Sequence, residues 1–413
     1  MSLDALHQGP ISRRAVLGGG VIGAAALFAA CTGSDPAGVT SDSDPADESD
    51  EPADDVGAVG RVVVIGAGPA GMTTAHLLRQ HGVIAEVLEA GPTHGGRIKH
   101  DLTFADFPIP LGAEWIHVNP SILDEAVNDD SITVDIATTE YAESDQLAYY
   151  SGNSTTLIPL EGWDSDRKII GSSWLDFFER YIVPGIADQI TYDTQIVRID
   201  HTGSAIELTD ADGTVRTADA VVVSVPLKIL QRGDIEFVPV FEGARAEAVA
   251  DAVVWSGLKA FIEFDSAFYP AVTATVDSET DEGQRLYYDA AYGQDTEANI
   301  LGLFSVGAQA ERYQAALADG ELLDVMLAEL DEVFDGAASP AYVRHIVQNW
   351  NDEPFAGAAY LEDDAPSSIS RRLAEPIDDR VFFAGDAYTS FDDWSSVHTS
   401  IRSAADATDA LLN

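Results

Sequence analysis

The chain has 413 residues, 46% of them hydrophobic and 34 of them glycine, which suits about two globular α/β domains with a large core. Its formal net charge of −48 argues against binding to nucleic acid, because such a surface repels phosphates. The acidity itself has two interpretations: a solvated surface selected for solubility or a salty habitat, or a field that attracts cationic ligands.

The N-terminal segment, 1–31, is predicted to be an export signal. Arg13 and Arg14 precede an apolar run, 15–30, that suits a signal peptide better than a membrane span. The segment resembles a twin-arginine signal, whose route exports folded proteins, often with their cofactor inside. Residues 28–31 resemble a bacterial lipobox ending in Cys31, the only cysteine of the chain. We expect lipid attachment at Cys31, which would hold the protein at the periplasmic or extracellular face of the cell membrane. The alternatives are ordinary cleavage nearby or an uncleaved anchor.

The next segment, 32–58, is predicted to be a disordered acidic tether. It is rich in Asp, Ser and Pro and poor in large apolar groups, so it cannot bury enough surface to offset its ordering entropy. Ten of the 70 acidic residues and two of the 22 basic residues precede Val59, so the body still carries a formal charge of about −40. The acidity therefore belongs to the folded part as well.

The folded part opens with a predicted βαβ unit that follows the apolar run Val62–Ile65. Gly66 permits a tight turn, Gly68 lets the backbone approach a pyrophosphate, and Gly71 lets the helix pack on the strand. Glu89 ends the second strand, where a carboxylate can accept both hydroxyls of an adenosine ribose. The whole pattern predicts dinucleotide binding rather than a merely structural glycine turn, although FAD and NAD share it.

The motif Gly95-Gly96-Arg97 follows the second strand directly. With it the sequence resembles the flavin-containing amine oxidase superfamily, which includes monoamine and polyamine oxidases, L-amino-acid oxidases and lysine-specific histone demethylases. In that family the motif places backbone and guanidinium against the phosphates of FAD, a use that suits the planar fork of arginine. The resemblance therefore implies FAD as the cofactor.

Later segments match the same family in the same order. The segment 110–117, PLGAEWIH, looks like the one that lines the flavin ring, and the segment from 193 looks like the return to the FAD domain, with Val197 meeting adenine through its backbone. In the final motif Asp386 would bind the ribityl or pyrophosphate region. The cofactor contacts that the resemblance implies in these segments are Gly112, Ala113, Glu114, Trp115, Val197, Gly385, Asp386 and Val397.

The fold that the resemblance implies is α/β, with a Rossmann-type FAD-binding domain and an interleaved α+β substrate-binding domain. The expected bounds are 59–117, 193–232 and 375–413 for the first, and 118–192 and 233–374 for the second. The body is short for the family, which predicts a trimmed substrate domain with a more open entrance. Hydrophobic periodicity adds helices near 173–181 and 320–334.

Lys259 lies in WSGLKAFIEFD, a stretch whose alternating pattern predicts a strand. It is one of four lysines, against eighteen arginines. In the family a lysine at the matching place holds a water against flavin N5, so the resemblance implies a catalytic role. The alternative is a lysine that extends to solvent from the edge of a sheet.

Four further residues are expected on the substrate side of the flavin. Trp350 and Tyr360 belong to a segment that resembles the aromatic strand and loop of the family, and Trp394 stands near the place where many relatives keep a tyrosine. His117 matches a histidine of polyamine-oxidising relatives. Each has a structural alternative. Trp350 would be a core residue, Trp394 a loop aromatic, and His117 and Glu114 hydrogen-bonded structural residues. The nine histidines show no metal-ligand spacing, so no metal site is predicted.

The expected activity is FAD-dependent oxidation of a small-molecule amine, a polyamine or a monoamine, to an imine and then an aldehyde, with oxygen reduced to hydrogen peroxide. One alternative is a desaturase or porphyrinogen-type oxidase with an apolar substrate. Another is a non-catalytic binding protein that keeps the flavin fold. The expected partners are the amine and oxygen or another electron acceptor. Nucleic acid is excluded, and membrane contact is expected only through the lipid anchor.

The cysteine count predicts how the flavin is attached. Some monoamine-oxidase relatives bond FAD through a cysteine near the last motif, but this chain has no cysteine after Cys31. The FAD should therefore be non-covalent and should leave the protein in acid or denaturant. Yellow colour retained by acid-precipitated, washed protein would contradict this expectation.

Overall fold

The computed structural model describes residues 60–160, 166–363, 365–390 and 394–413. The predicted signal and tether lie outside these residues, so export and lipid attachment stay predictions. Within the described ranges, no helix has the length and apolar character needed to cross a membrane.

The strands in chain order are β1 (Val62–Ile65), β2 (Glu86–Leu88), β3 (His100–Asp101), β4 (Ile109–Pro110), β5 (Trp115–Ile116), β6 (Thr138–Glu140), β7 (Gln146–Ser151), β8 (Ser154–Pro159), β9 (Arg167–Ile169), β10 (Ile190–Thr191), β11 (Ile196–Asp200), β12 (Ile206–Asp210), β13 (Val215–Ala218), β14 (Ala220–Val223), β15 (Glu236–Val238), β16 (Gly257–Phe264), β17 (Val272–Thr275), β18 (Glu279–Thr280), β19 (Gly283–Asp289), β20 (Asn299–Gly307), β21 (Tyr342–Asn349) and β22 (Val381–Phe383).

The α-helices are α1 (Pro69–Gln80), α2 (Ile122–Val127), α3 (Trp174–Tyr181), α4 (Val183–Ile186), α5 (Leu227–Arg232), α6 (Gly243–Asp251), α7 (Ala308–Asp319), α8 (Leu322–Val333), α9 (Ala338–Ala341), α10 (Ser367–Ala374) and α11 (Val397–Leu412). Short 3₁₀ turns occur at Gly96–Ile98, Ala187–Gln189 and Trp350–Asp352.

A parallel five-stranded sheet, in the order β10-β2-β1-β14-β22, forms the nucleotide-binding half. Every residue of β1 and β14 is buried, because helices cover both faces of such a sheet. The helices α1 and α11 pack against each other beside it. The strand order and the helix after β1 confirm the predicted α/β, Rossmann-type fold.

The second half is built on an eight-stranded sheet. Its main path runs β21-β16-β20-β19-β17-β7-β8, and β18 pairs with β19. The strand β16 is antiparallel to both β20 and β21, so it lies inside the sheet and not at its edge. The helices α7 and α8 cover one face with an apolar cluster.

Packing moves the domain bounds away from those expected from the motifs. The strand β10 already belongs to the parallel sheet, before residue 193. The helices α6 and α10, which were expected in the substrate domain, share one buried cluster with β1, β14 and β22. Likewise α2 and α3 pack in the cluster that contains α1. Motif positions could not show this, because which sheet a helix covers depends on contacts between distant parts of the chain.

The two helices predicted from periodicity are confirmed as α3 and α8. The Ser173 hydroxyl caps α3 by accepting a hydrogen bond from the backbone of Asp176. On α8 the buried face includes Leu322, Met326 and Leu330, which explains its apolar stripe by core packing alone.

Candidate functional site

A cavity of about 1930 Å³ is lined by residues from both halves of the molecule. One part lies at the carboxyl ends of β1 and β2, where ligands bind in open parallel sheets. Another part is formed by the eight-stranded sheet, including Lys259 and Phe304. Its volume exceeds the roughly 300–1,000 Å³ of an ordinary small-molecule pocket, so a dinucleotide and a substrate can occupy it together.

The glycines of the first motif each meet the requirement predicted for them. Gly66 has φ 103°, in the left-handed region that favours glycine. A Cβ on Gly71 would lie 2.0 Å from the Gly66 carbonyl oxygen, so the helix could not approach the strand with any other residue there. A Cβ on Gly68 would meet no protein atom within 4 Å, and Gly68 lines the cavity, where no side chain caps α1. This open backbone at a helix N-terminus fits a pyrophosphate.

Glu89 lies at the end of β2 and lines the same part of the cavity. Its carboxylate accepts hydrogen bonds from the backbone N–H groups of Ala67, at 2.7 Å, and Gly91, at 2.8 Å. Burial raises the pKa of Glu89, although these two backbone donors act in the opposite direction. Each oxygen keeps acceptor capacity for a ribose hydroxyl.

Arg97 joins the second motif to the last one. Its guanidinium forms a bidentate pair with Asp386, with Nη1 at 3.0 Å from Oδ2, and Nη1 also donates to the Ala359 carbonyl oxygen at 2.5 Å. Both side chains line the cavity, together with Gly96, Gly385 and Val397. Gly95 lies beneath, where its N–H donates to the Ala67 carbonyl oxygen at 2.8 Å.

Val197 does not line the cavity, so its expected backbone contact with adenine stays a prediction. The pairing of β11 with β12 shifts register between Ile196 and Arg198, and Val197 sits at that irregularity. Its neighbours Gln195 and Ile196 line the cavity instead. Gly71 and Gly95 also lie outside the lining and serve by close packing.

Glu114 occupies the centre of a buried ion cluster with Lys259 and Lys168. Its Oε2 accepts from Lys259 Nζ at 2.9 Å and from the Tyr288 hydroxyl at 2.5 Å, while its Oε1 lies 3.4 Å from Lys168 Nζ. All four side chains are buried, and Lys168 is only 1% exposed. The carboxylate thus binds protein cations, the structural alternative weighed for Glu114, although it also borders the cavity with Gly112, Ala113 and Trp115.

The charges in this cluster stabilise one another. Burial alone would raise the pKa of Glu114, but Lys259, then Lys168 and the Tyr288 hydroxyl, hold it below its usual value. Burial lowers the pKa of both lysines, and Glu114 opposes that shift. Sequence analysis missed Lys168 and Tyr288; the scarcity of lysine was the one signal available for Lys168.

Lys259 is a buried residue of an interior strand and lines the cavity, which excludes the alternative of a surface lysine at a sheet edge. Besides Glu114, its Nζ donates to the carbonyl oxygens of Pro110, at 2.8 Å, and Gly112, at 3.1 Å. These contacts fix the ammonium group against the segment 110–117. Its catalytic role stays a prediction.

Aromatic side chains form much of the remaining wall. Trp350 donates from Nε1 to the Leu111 carbonyl oxygen at 3.0 Å, which holds it beside the same segment. Tyr360 lies 6.2 Å from Trp255, ring centre to ring centre. Trp255 and Phe304 line the cavity but were not predicted, because nothing local distinguishes them from core aromatics.

His117 and Trp394 border the cavity together. Their ring centres are 5.5 Å apart in an edge-to-face arrangement, and His117 Nδ1 lies 2.8 Å from Asp166 Oδ1. Asp166 is buried and was not predicted. The structure therefore brings together all four residues expected on the substrate side, and their substrate contacts stay predictions.

The cavity wall also contains a group of carboxylates. Asp363 accepts a hydrogen bond from Gln284 Nε2 at 3.0 Å, and both residues line the cavity. The carboxylates of this group are Glu279, Asp281, Glu362 and Asp363. They make that part of the lining negative.

The parallel sheet, the open glycine turn at an uncapped helix and the carboxylate at the end of β2 fit a dinucleotide such as FAD, and the second sheet forms the other part of the cavity. A model described as flavin containing amine oxidoreductase matches residues 184–412, and one described as NAD(P)-binding Rossmann-like domain matches 64–126. The chain belongs to the flavin-containing amine oxidoreductase family, and FAD is its cofactor.

The chain is 23% identical to polyamine oxidase 4 of Oryza sativa subsp. japonica, over 84% of this chain and 88% of that protein. Among solved structures it is similar to a putrescine oxidase bound to putrescine, with a TM-score of 0.68, 15% identity and coverage of 86% and 99% of the two chains. It is also similar to cyclohexylamine oxidase from Brevibacterium oxydans IH-35A, with a TM-score of 0.69, 15% identity and the same coverage. At these identities the structural likeness shows the fold alone.

The ion cluster predicts a large, pH-dependent effect of Glu114→Gln. At neutral pH the variant leaves two buried ammonium groups without a carboxylate, so the free energy of unfolding should fall by about 3–5 kcal/mol. Because the pKa of Glu114 is lowered in the folded state, its contribution is present above the usual glutamate pKa of about 4.3 and is lost as the pH falls below that value.

Urea unfolding measured between pH 7 and pH 3 checks this, with the exposed Glu207→Gln as the matched control. The stability difference between Glu114→Gln and wild type should narrow toward acid, and the control should stay near zero. A Glu114→Gln protein as stable as wild type at pH 7 would contradict the assignment.

Proposed function

We propose that the protein is an FAD-dependent amine oxidase that converts a cationic amine, of the polyamine or monoamine type, to an imine that water hydrolyses to an aldehyde, with oxygen reduced to hydrogen peroxide. The observation that carries the proposal is one cavity wall that combines a buried lysine, aromatic side chains and carboxylates. Membership of the amine oxidoreductase family supports the amine class.

The lining favours a cationic substrate over an apolar one. Carboxylates such as Asp281 and Asp363 attract ammonium groups, and aromatic faces such as that of Trp255 hold cations and exclude water. A desaturase or porphyrinogen-type oxidase would present an apolar pocket without Lys259. A substrate with two or more amino groups could place one at the carboxylates and another at the flavin, and the relatives named polyamine oxidase and putrescine oxidase agree with this arrangement.

The chain's own residues bind and orient the amine. Trp350, Tyr360 and Trp394 form aromatic walls on the substrate side, and His117, held by Asp166, offers a hydrogen-bonding group there. Bound FAD supplies the acceptor for the hydride that leaves the carbon next to the amine nitrogen. In its protonated form Lys259 places a positive charge at the wall, which stabilises negative charge that develops beside it.

We also propose that the protein works outside the cytoplasm, exported by a twin-arginine route and anchored by lipid at Cys31. The support is the N-terminal sequence alone.

An anaerobic bleaching screen tests the function. Purified yellow protein should lose its flavin absorbance with at least one amine from a panel of mono-, di- and polyamines.

Lys259→Met should still bind FAD, because the dinucleotide contacts lie elsewhere, but should lose about tenfold or more in turnover, equal to about 1.4 kcal/mol or more in barrier. Lys228→Met, which replaces a lysine outside the cavity lining, is the matched control.

The outcomes separate the candidates. A colourless protein that takes up no FAD supports the non-catalytic alternative, and bleaching only by apolar substrates supports the desaturase type. Stopped-flow traces of Lys259→Met that match wild type in both flavin reduction and reoxidation would remove Lys259 from the mechanism.

The acidic lining predicts a salt effect that depends on substrate charge. The apparent association rate of a di- or polyamine should fall steeply with added salt and that of a monoamine less, since exposed charges are screened beyond roughly 10 Å at 0.1 M. Asp281→Asn, which removes an exposed carboxylate of the lining, should flatten the polyamine slope. If the association rates of monoamine and polyamine depended equally on salt, the acidity would be explained by general solubility and not by attraction of the substrate.

A further inference from the structure

We propose that Lys168, which lies outside the cavity lining, is a positioning residue for Lys259: both ammonium groups share the Glu114 carboxylate, and Lys168 thereby makes Lys259 release a proton more readily than it would if paired with Glu114 alone. The proposal concerns the charge of the cavity wall and holds whichever amine is oxidised.

Strand pairing brings Lys168 to this carboxylate. The strand β9 is antiparallel to β5, with Lys168 opposite Trp115, the residue after Glu114. Lys168 Nζ donates to the carbonyl oxygens of Asp289, at 2.9 Å, and Ala290, at 2.8 Å, and its third neighbour is Glu114 Oε1 at 3.4 Å. The ammonium group is therefore fixed at the carboxylate oxygen that Lys259 does not contact.

Lys259 takes the other oxygen, Oε2, and shares it with the Tyr288 hydroxyl. One negative charge is thus divided between two cations and a phenol hydrogen bond. With both lysines protonated the three ionised groups carry a net charge of +1. In a buried site this excess is costly, because burial weakens solvent screening of the repulsion between the ammonium groups.

The groups that face the cluster act in known directions on Lys259. Burial lowers its pKa most, Glu114 raises it, and Lys168 lowers it. Burial lowers the pKa of Lys168 as well, and Glu114 and then Asp289 oppose that shift. The buried phenol of Tyr141 is a further titratable group near Glu114 and Asp166.

The chemical consequence falls on the cavity. When Lys259 gives a proton to water, its Nζ keeps two N–H donors and gains a lone pair, so one of its three present acceptors, Pro110 O, Gly112 O or Glu114 Oε2, loses a hydrogen bond. The cluster then becomes neutral. Lys168 does not line the cavity, so it makes no direct contact there and acts on the cavity wall through Glu114 and Lys259.

Four lysines in the chain make a direct titration feasible. In FAD-loaded protein labelled with ¹³Cε,¹⁵Nζ-lysine, NMR resonances assigned by single substitutions report each charge state. Lys259 should titrate below the usual range of a lysine, because burial lowers its pKa. Lys168→Met should raise the Lys259 midpoint by about one pH unit, a tenfold change in proton release, while Lys168→Arg should keep it within a few tenths of a unit because the charge remains.

Lys228→Met is the matched control and should leave the Lys259 midpoint unchanged. A Lys259 midpoint that stays the same or falls in Lys168→Met would overturn the proposal. A role of Lys168 in stability alone would lower the unfolding temperature of Lys168→Met without moving this midpoint.

A second measurement keeps the proposal testable if Lys168→Met does not fold. In the wild-type titration the Lys168 and Lys259 resonances should each record two coupled midpoints, since neither group titrates independently. Independent single-step curves would overturn the proposal. Neither titration needs a substrate, so failure of the proposed amine oxidation would show separately, in the bleaching screen.

Discussion

The carboxylate of Glu114 is the point on which the arrangement of the cavity depends. It binds Lys168 from β9, Lys259 from β16 and Tyr288 from β19, so it ties the segment 110–117 to the eight-stranded sheet. Two buried ammonium groups could not stay in the interior without it, because an unpaired buried charge is far more costly than a paired one. The same contacts therefore build the wall and set its charge.

On the nucleotide-binding side, charged groups also hold the structure together and line the cavity at the same time. Arg97 and Asp386 bind each other across the chain while both border the cavity, and Glu89 holds the turn between β1 and α1 through backbone N–H groups. These contacts form within the protein and do not need a bound ligand. The site is thus held in shape by its own residues, which reduces the ordering that a cofactor must cause on binding.

The eight-stranded sheet has a second ion group, centred on the buried Arg285. Arg285 of β19 contacts Asp277, Glu329 and the Tyr313 hydroxyl, and Tyr287 of the same strand also donates to Glu329. On the other side of β19 lie Tyr288 and the Glu114 cluster. Ion pairs of Arg285 on one face and the hydrogen bond from Tyr288 to Glu114 on the other therefore hold this strand in place.

The sequence by itself determined the βαβ unit, the helices α3 and α8, the order of the FAD motifs and the candidacy of Lys259, because each depends on residues close together in the chain. Tertiary structure alone decided that Lys168 meets Glu114, that Trp255, Phe304 and Ile196 join the wall, and that α6 and α10 cover the parallel sheet. Lys259 and Glu114 are 145 residues apart, and a buried charge acquires its partner only when the sheets come together and exclude water from both.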